Sequence, residues 1–411
     1  MEIAMAASTE CPVGGVRGVD LLDAGVFAAG RDPEMFRVLR DGAPLHWNPG
    51  PGEREGFWSV TRYADVEAVA KDADRFGNGQ GTQIPDRRAE GNGPRQIHNM
   101  DAPDHVPFRR VLTSTFTPRA VERLAARVEE VTGALLDEAL ELGEFDFVEV
   151  IASRLPLLVF APMLGVPVED ADLLLRWTNE SSSEDPEYSA GPETAARARD
   201  ELFAYYADLT EQRRACPADD IVSTLTRATP KGEPLTQEWL NPYYMVLTVA
   251  GNETTRNLLS GSVAALSEHG RWDELRVGGA PLLRSGIEEM VRWVSPVVHM
   301  RRTATEDVEL HGQTVRAGEK LVLWFAAANR DERVFDAPEE FRLDRTPNRH
   351  LGFGAGPHYC LGAHLARMET RVFYEQVLAR GIRIEPLAEP DRLLSNWFHG
   401  IKRLPVRVTQ G

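Results

Sequence analysis

The sequence predicts a mainly α-helical protein with small β-sheets at two edges, an α+β fold. Apolar residues recur at helical spacing from about residue 101 to 294 and again from 360 to 380. Alternating apolar and polar residues bounded by turn signals occupy three further segments, roughly 43–62, 297–325 and 391–409. Because no linker divides the 411 residues, we expect a single domain, 1–411, with a flexible start at 1–16.

Charge and hydropathy exclude several classes of partner. The chain has 46 basic and 63 acidic residues, and its net charge of -17 opposes attraction to nucleic acid or anionic lipid. The first residues lack the basic region of a secretory signal, and the most apolar stretch, 155–166, is too short to span a bilayer. We therefore expect a cytoplasmic protein that binds a small molecule, with no nucleic-acid or membrane partner.

The first hundred residues mix strands and helices. The segments "APLHW" and "GFWSVTRY" predict a β-hairpin around the turn-rich "NPGPGEREG", and a helix follows at 64–76. Residues 77–100 are too rich in glycine for regular structure, and loops of this length are usually functional lids or disordered.

Helical periodicity then dominates. We predict helices at 107–112, 118–142, 169–177, 192–215, 236–269 and 281–294. Pro242 marks either a helix start or a kink. Beyond the helices, "RRTATEDVELHGQTVRAGEKLVLWF" alternates in the manner of short strands, and "DRLLSNWFHGIKRLPVRVT" predicts a further strand pair.

The predicted helix 236–269 gives the first indication of chemistry. Its length of about 50 Å means that its middle is buried, yet that middle contains Gly251, Glu253 and Thr254. The Thr254 hydroxyl can bond the carbonyl of Ala250 and open a niche for a diatomic ligand and water, with Glu253 passing protons. Taken alone, the pattern favours a packing glycine beside polar residues that face solvent.

Charged residues elsewhere are informative only in combination. Glu289 and Arg292 lie three apart on a predicted helix, which alone indicates a solvated surface pair. Four basic residues are each typical of surface charges, but together they could bind two carboxylates: His105, Arg109, Arg302 and His358.

The three cysteines, Cys11, Cys216 and Cys360, match neither a CxxC metal site nor a disulfide framework. Any metal must therefore be held by one protein sulfur or none, which excludes structural zinc and leaves a cofactor that brings most of its own ligands. Taken alone, a single cysteine indicates a buried, inert thiol.

The surroundings of Cys360 favour a different interpretation. Gly354 and Gly356 allow a tight turn that places Cys360 at the start of a helix, where backbone N–H groups favour a thiolate. Gly362 lets the backbone approach a flat cofactor.

This stretch, "FGAGPHYCLGAHLAR" at 353–367, resembles the cysteine-ligand loop of the cytochrome P-450 family, whose pattern is FGxGxHxCxGxxLAR. Two more segments resemble family motifs in the family's order: "AGNETT" its oxygen-activating helix and "EMVR" its ExxR motif. The resemblance covers essentially the whole chain. It implies the family's fold, a triangular helical prism with a long central helix over the haem.

The resemblance also implies a role for each matching residue. Cys360 would be the axial thiolate ligand of the iron of haem b, with Phe353 near the sulfur and Ala250, Gly251, Gly354 and Gly362 beside the cofactor. The four basic residues would bind the haem propionates. Glu289 and Arg292, with Arg345, would form a buried structural network. Thr254 and Glu253 match the alcohol and acid that steer protons to dioxygen, although many relatives have aspartate in place of Glu253.

The implied reaction inserts one oxygen atom of O2 into a C–H bond or double bond, and the other atom leaves as water. The chain has no iron–sulfur cysteine cluster and no flavin or dinucleotide fingerprint, so we expect a separate ferredoxin and an NAD(P)H-dependent ferredoxin reductase. The alternatives are a peroxide-driven peroxygenase, which would not need Glu253 and Thr254, and a non-catalytic haem-thiolate sensor or binding protein.

Two observations on the substrate disagree. C-terminal segments such as "SPVVHMRRTATEDVELHG" resemble the actinobacterial branch that hydroxylates methyl-branched lipids and sterol side chains. The segment at the family's access lid, 176–191, is acidic and serine-rich, which favours a more polar or cationic substrate. A lipid and a secondary metabolite both stay open. By family position the pocket would include residues for which an ordinary core position is equally expected: Ile84, Ile97, Leu247, Ala250, Val297, Val298, Trp397 and Phe398.

Overall fold

Helices form most of the protein in the computed structural model, which describes residues 19–50, 56–85 and 94–411. The segment 1–16, most of the predicted hairpin turn and part of the glycine-rich stretch after residue 77 lie outside the described residues. Small sheets accompany the helices, so the predicted α+β class is confirmed.

The helices of the described residues are α1 (Ala24–Ala28), α2 (Asp32–Gly42), α3 (Tyr63–Lys71), α4 (His105–Thr113), α5 (Pro118–Glu122), α6 (Ala125–Leu142), α7 (Arg154–Leu164), α8 (Ala171–Ser182), α9 (Pro192–Ala215), α10 (Ile221–Thr226), α11 (Gln237–Glu268), α12 (Trp272–Val294), α13 (Phe325–Ala328) and α14 (Ala363–Ala379). The strands are β1 (Leu45–Asn48), β2 (Phe57–Val60), β3 (Phe76–Gly77), β4 (Glu144–Asp146), β5 (His299–Ala304), β6 (Val308–Leu310), β7 (Gln313–Val315), β8 (Lys320–Trp324), β9 (Ile382–Pro386), β10 (Asp391–Arg392), β11 (Ile401–Arg403) and β12 (Pro405–Gln410).

Helix α11 is the central element of the helical part. Its 32 residues extend about 48 Å at 1.5 Å per residue. It packs against α7, α8, α9, α12 and α14, so most of its side chains are buried. Pro242 lies inside the helix, five residues from its first residue, and does not end it. The middle of α11 is therefore held by neighbours on several sides.

The largest sheet closes one edge of the molecule, with the strand order β1-β2-β8-β5-β3. Strands β1 and β2 form the predicted hairpin, and β2 pairs with β8 in parallel. A second sheet has the strand order β4-β12-β9. In it the C-terminal strand β12 pairs with two short strands, β4 and β9, that the alternation pattern did not predict. Among the described residues, no helix is both long enough and apolar enough to cross a membrane.

Several predicted helix ends were wrong for identifiable reasons. The helix predicted at 118–142 is two helices, because the chain turns between Glu122 and Ala125. Gly279, with a φ of 54° and a ψ of -148°, divides α12 into two helical parts, and the second part, which ends at Val294, agrees with the helix predicted at 281–294. The prediction of a helix at 192–215 was right at both ends of α9. Pro192 is the first residue of this helix, a position at which proline is favoured.

A buried charge network joins α12 to the loop that follows α13. Glu289 and Arg292 have no exposed side-chain area, and their two hydrogen bonds measure 2.7 and 2.8 Å. Arg345 adds bonds of 3.0 and 3.2 Å to the same carboxylate. Burial alone would raise the pKa of Glu289, but hydrogen bonding and charge from Arg292, followed by Arg345, hold it below its ordinary value. The carboxylate is therefore ionised and fully paired.

The network extends to the cysteine loop. Arg292 donates to the carbonyl of Asn329 at 2.8 Å, and the Asn329 side chain accepts from the backbone N–H of Leu351 at 2.6 Å. The carbonyl of Leu351 accepts a hydrogen bond from the backbone N–H of Gly354. Gly354 begins the turn that leads to Cys360. The pairing that looks like a surface contact in the sequence is thus a buried support for this turn.

Removing the charge of Glu289 should destabilise the protein strongly, because Arg292 and Arg345 would stay buried without a counter-ion. We expect Glu289→Gln to lower the free energy of unfolding by about 3 kcal/mol or more, measured by urea denaturation. The control is Glu375→Gln, which removes a half-exposed i,i+4 pair with Arg371 and should cost less than about 1 kcal/mol. Equal effects of the two variants would contradict the role of the network.

Candidate active site

A cavity of about 1880 Å³ lies between the middle of α11 and the loop that carries Cys360. Further walls come from the end of α8 and the start of α9, from the segments 78–85 and 94–99, from Pro296, Val297 and the first part of β5, and from the turn with Trp397 and Phe398. Thr254, on α11, and Cys360, on the loop, both line it. The sequence stretches with chemical character therefore meet at one space.

The cysteine loop is a tight turn closed by its own backbone. Gly354 and Gly356 have φ angles of 71° and 69°, which favour glycine, and the backbone N–H of Cys360 donates to the carbonyl of Phe353 at 2.9 Å. A Cβ on Gly356 would lie 2.5 Å from the carbonyl oxygen of Ala70, so the loop also needs glycine where it meets α3. Cys360 follows this turn three residues before α14 begins.

The Cys360 side chain is exposed towards the cavity, and the protein atoms around its sulfur combine desolvation with positive charge. Burial raises the pKa of the thiol. Hydrogen bonds from the backbone N–H groups of Gly362 and Ala363, at the start of α14, lower it, and so do the charges of Arg109 and Arg367. A negative sulfur is thus better supported here than at an ordinary buried cysteine.

Basic residues gather beside the same cavity. Arg109, Arg302 and His358 line it, and the His358 ring stacks on the His105 ring with centroids 4.0 Å apart. His105 does not line the cavity itself and lies behind His358. Burial lowers the pKa of Arg302 to about 10 and that of His358 to about 2, the latter also through the neighbouring cations. The arginines are therefore charged and the imidazole of His358 is neutral at pH 7.

His98 belongs to this cluster and was not predicted. It lines the cavity, and burial, with the charge of Arg302, lowers its pKa to about 4. Nothing in the sequence around it distinguishes this histidine from a surface residue, because the segment 94–99 carries no periodic pattern. Only the folded arrangement brings it to the arginines.

The middle of α11 turns a polar side chain towards the cavity. The Thr254 hydroxyl donates to the carbonyl of Ala250 at 3.1 Å, as the sequence predicted. Gly251 also lines the cavity, and a Cβ there would lie 2.5 Å from the ring of Phe160, so glycine lets α7 pack closely. Thr254 thus presents its oxygen in a narrow part of the space.

Comparison with known proteins identifies the family. A sequence profile described as "Cytochrome P450" matches residues 276–391. The steroid C26-monooxygenase of Mycobacterium tuberculosis H37Rv is 38% identical over 408 residues, covering 95% of this chain and 93% of that enzyme. The chain belongs to the cytochrome P450 family. It is accordingly a monooxygenase.

Other relatives support this assignment. The methyl-branched lipid omega-hydroxylase of the same strain is 38% identical over 388 residues, which cover 90% of each chain. The solved structure of a Mycobacterium marinum cytochrome P450 in complex with pseudoionone has a TM-score of 0.89 and 33% identity, covering 97% of this chain and 100% of that chain. The predicted cytochrome P450 fold is confirmed.

A cytochrome P450 carries haem iron bound by a cysteine thiolate, and the residues at this cavity fit that group. Cys360 faces the cavity, and a Cβ on Gly362 would meet open space there. Two arginines at the cavity, Arg109 and Arg302, supply N–H donors and positive charge for the propionates. Such donors and charges suit two carboxylates.

The structure does not place Glu253 at this P450's cavity. Its carboxylate is buried and paired with Arg256 on the next turn of α11, and it accepts from Asn257 at 3.1 Å. Arg256 in turn donates to Asn179 of α8 at 2.9 Å. The predicted role of Glu253 in proton transfer stays a prediction, and in this structure an ion pair with Arg256 engages its carboxylate.

Glu369 is a buried acidic residue that lines the cavity, and the sequence analysis missed it. It lies on α14, is 1% exposed, and is hydrogen bonded to Thr255, which also lines the cavity. Burial raises its pKa to about 8, and the bond from Thr255 opposes this. The spacing of Leu365, Met368 and Val372 places Glu369 on the apolar face of α14, a signal that could have identified it.

Most of the predicted pocket residues line the cavity: Ile84, Ile97, Leu247, Ala250, Val297, Trp397 and Phe398. Val298 does not, and its prediction was wrong. Its side chain is fully buried in a cluster with Phe27 and Trp324, because successive residues of an extended segment face opposite sides and Val297 takes the cavity side.

In the acidic segment 176–191, the carboxylates of Asp185 and Glu187 form ion pairs outside the cavity. Asp185 is 3% exposed, accepts from the backbone N–H of Leu394 at 3.0 Å and pairs with Lys402 at 3.3 Å. Glu187 pairs with Lys402 and Arg403. These carboxylates fix the segment to the C-terminal strands, so its composition does not by itself indicate a cationic substrate.

The pKa of Glu369 gives a testable dependence of stability on pH. The pKa of Glu369 in the folded state, about 8, exceeds the ordinary glutamate value of 4.5, so the folded state holds a proton that the unfolded chain releases. The stabilisation is complete below pH 4.5 and is lost as the pH rises to about 8. We expect Glu369→Gln to gain stability relative to the parent protein between pH 5.5 and 8.

Urea unfolding of the holoprotein at pH 5.5, 7 and 8.5 measures this difference. Glu375→Gln, on the exposed side of α14, controls for general charge effects and should follow the parent protein at every pH. Parallel stability curves for Glu369→Gln and the parent protein would contradict the raised pKa.

Proposed function

We propose that this cytochrome P450 inserts one oxygen atom from O2 into a C–H bond, or a double bond, of a small hydrophobic or amphipathic molecule. The observation that carries the proposal is that one cavity joins the Cys360 thiol, the Thr254 hydroxyl and a largely apolar wall. When bound, haem b supplies the redox chemistry that activates O2.

The residues around the Cys360 sulfur hold the cofactor and supply the charges that stabilise its thiolate ligand and its propionates. Cys360 is the proposed iron ligand, and the N–H groups of Gly362 and Ala363 stabilise its negative charge. Arg109, Arg302 and His358, with His98 beside them, bind the propionates. Arg367 lies over the ring of Phe353 at 4.3 Å and fixes that ring beside the loop.

Proton supply is assigned to Thr254 together with the pair of Thr255 and Glu369. Because the pKa of Glu369 is raised to about 8, its carboxyl is protonated at pH 7 and can donate. Its Oε1 atom is buried and has no hydrogen-bond partner among the described residues. The Thr254 hydroxyl, bonded to Ala250, directs protons within the niche.

The substrate class follows from the wall and from the relatives. Apolar side chains dominate the part of the cavity away from the basic cluster, including Phe116, Phe160, Phe203, Leu247 and Phe398. The two relatives at 38% identity are named for a steroid and for methyl-branched lipids. We infer a largely apolar substrate, a lipid or a secondary metabolite of similar polarity.

Electrons are assigned to a separate ferredoxin, reduced by an NAD(P)H-dependent reductase. The chain has three cysteines and no dinucleotide fingerprint.

The ligand assignment is tested by the visible spectrum of the dithionite-reduced protein under carbon monoxide. We expect a Soret band strongly shifted to the red in the parent protein and its loss in Cys360→Ala, because no other cysteine lines the cavity among the described residues and a methionine thioether cannot supply a thiolate. Cys216→Ala, an exposed cysteine elsewhere, is the control and should keep the shifted band. A shifted band in Cys360→Ala would remove this residue as ligand.

The role of Thr254 in proton supply is tested by measuring how tightly O2 consumption is coupled to product formation. With a reconstituted ferredoxin system, Thr254→Ala should keep the carbon monoxide spectrum while the ratio of product to consumed O2 falls about tenfold or more, with hydrogen peroxide released instead. Thr254→Ser, which retains the hydroxyl, should preserve coupling. Product formed equally well by Thr254→Ala, or formed only with added peroxide, would favour a peroxygenase instead.

A further inference from the structure

The glycine-rich stretch that follows β3 forms one wall of the cavity. Residues 78–85, called here the glycine-rich wall, all line it, although their composition is typical of a lid or a disordered loop. Neither the haem site nor the proton route described above uses this stretch. Because it contains no helix or strand, its position depends on contacts with other segments.

The carboxylate of Asp101 binds the start of the glycine-rich wall. Its Oδ1 atom accepts from the backbone N–H of Asn78 at 2.6 Å, and its Oδ2 atom accepts from the backbone N–H of Gly79 at 2.7 Å. Two consecutive N–H groups thus meet the two oxygens of one carboxylate. Because hydrogen bonds to a charged acceptor are stronger than neutral ones, this contact holds the chain where it leaves β3.

Two glycines leave room for this carboxylate. A Cβ on Gly77 would lie 2.8 Å from Oδ2 of Asp101, and a Cβ on Gly79 would lie 2.7 Å from the same atom. Neither glycine has a positive φ, so glycine is needed here for space and not for backbone conformation. The close approach of Asp101 therefore explains two glycines of the sequence "GNGQG".

Other side chains bind the rest of the glycine-rich wall. The Asn78 side chain donates to the carbonyl of His98 at 2.8 Å, and the Thr82 hydroxyl donates to Oδ1 of Asn99 at 2.8 Å. The backbone N–H of Arg301, on β5, donates to the carbonyl of Thr82 at 2.8 Å. Asn78 and Thr82 are both buried. The wall is thus bonded at several points to segments that surround the cavity.

The Asp101 carboxylate also acts on the basic cluster that is proposed to bind the propionates. Burial lowers the pKa of Arg302 to about 10, and the charge of Asp101 opposes this decrease. The same charge opposes the effect of burial on the pKa of His105. In the sheet, Gly77 pairs with Thr303, the residue after Arg302. Asp101 is therefore close to both the glycine-rich wall and the cofactor site.

We propose that Asp101 is a positioning residue that fixes the glycine-rich wall relative to the haem and so determines how well the cavity binds bulky molecules. This rests on the proposed monooxygenase function and deepens it. Asp101 is not among the described residues that line the cavity, so it acts through Asn78 and Gly79. A bulky ligand packs against a wall that is already in place, whereas a released wall has to be ordered on binding.

The first test measures hydrogen exchange of a peptide that covers the glycine-rich wall, by mass spectrometry of the holoprotein. Asp101→Asn keeps the side-chain shape but turns an amide NH2 towards one of the two N–H groups, so exchange at Asn78 and Gly79 should accelerate roughly tenfold or more. Asp104→Asn, which removes a half-exposed carboxylate paired with Lys231, is the matched control and should leave exchange unchanged. Unchanged exchange in Asp101→Asn would overturn the proposal.

The second test separates positioning from a general loss of stability. Imidazole binds haem iron and is too small to reach the wall, whereas clotrimazole and econazole carry aryl groups that occupy the cavity. With affinities measured from the shift of the Soret band, Asp101→Asn should weaken binding of at least one bulky azole roughly three- to tenfold and binding of imidazole less than about twofold. Asp104→Asn should bind all three as the parent protein does.

Gly79→Ala perturbs the same contact from the other side, because its methyl group would displace the Asp101 carboxylate. It should reproduce both effects. The double variant with Asp101→Asn should lose less bulky-azole affinity than the sum of the two single losses, in free energy, since both substitutions break one contact. The carbon monoxide spectrum of each variant is recorded in parallel.

Three outcomes overturn the proposal without touching the function. Equal losses for imidazole and the bulky azoles would show general destabilisation, and additive losses in the double variant would show two separate effects. Faster exchange with unchanged azole affinities would show that the position of the wall does not matter for binding. A parent protein without the red-shifted band contradicts the monooxygenase assignment itself, whereas hydrogen exchange still reports on the contact of Asp101 with the wall.

Discussion

The buried carboxylate of Glu289 is the constraint on which the geometry of the cysteine loop depends. An ionised carboxylate removed from water is tolerated only if it is paired and hydrogen bonded, and Arg292 and Arg345 both meet it. Their remaining N–H groups bind carbonyls of the irregular chain between residues 329 and 340. Apolar residues of the same volume would leave those carbonyls without donors. The ion pairs therefore specify where an irregular segment runs, which packing alone cannot do.

The adjacent residue, Glu288, holds the other side of the same loop. Its carboxylate binds Arg367 of α14 at 2.7 and 2.8 Å and His350 at 2.9 Å. Burial would raise the pKa of Glu288, but Arg367 and then His350 lower it to about 2. Arg367 covers the ring of Phe353, whose carbonyl accepts from Cys360. Two successive glutamates on α12 thus fix the chain before and after the thiol, so the sulfur position is set by charge pairing on both sides.

The sequence predicts the parts of this arrangement that depend on local order. The glycines at 354 and 356 specify a turn, and the bond from Thr254 to Ala250 follows from helical spacing alone. Burial and pairing depend on other segments, so spacing could not show that the pair of Glu289 and Arg292 is buried. For the same reason the pattern could not show that Arg256 turns Glu253 away from the cavity. Glu369 was recognisable by its place on an apolar face, whereas His98 joins the basic cluster only through the fold.

The segment 176–191 shows why composition is a poor guide to what a cavity binds. Its acidic residues suggested a polar or cationic substrate, yet Asp185 and Glu187 form ion pairs with Lys402 and Arg403. The pairs of Glu187 are exposed and individually weak, whereas Asp185 is buried and also accepts from the backbone at Leu394. Breaking the pairs of Glu187 would therefore cost little, whereas releasing Asp185 would break a buried ion pair with Lys402 and its hydrogen bond from Leu394. The acidic composition of the segment is thus explained by its attachment to the C-terminal strands and carries no information on the charge of the substrate.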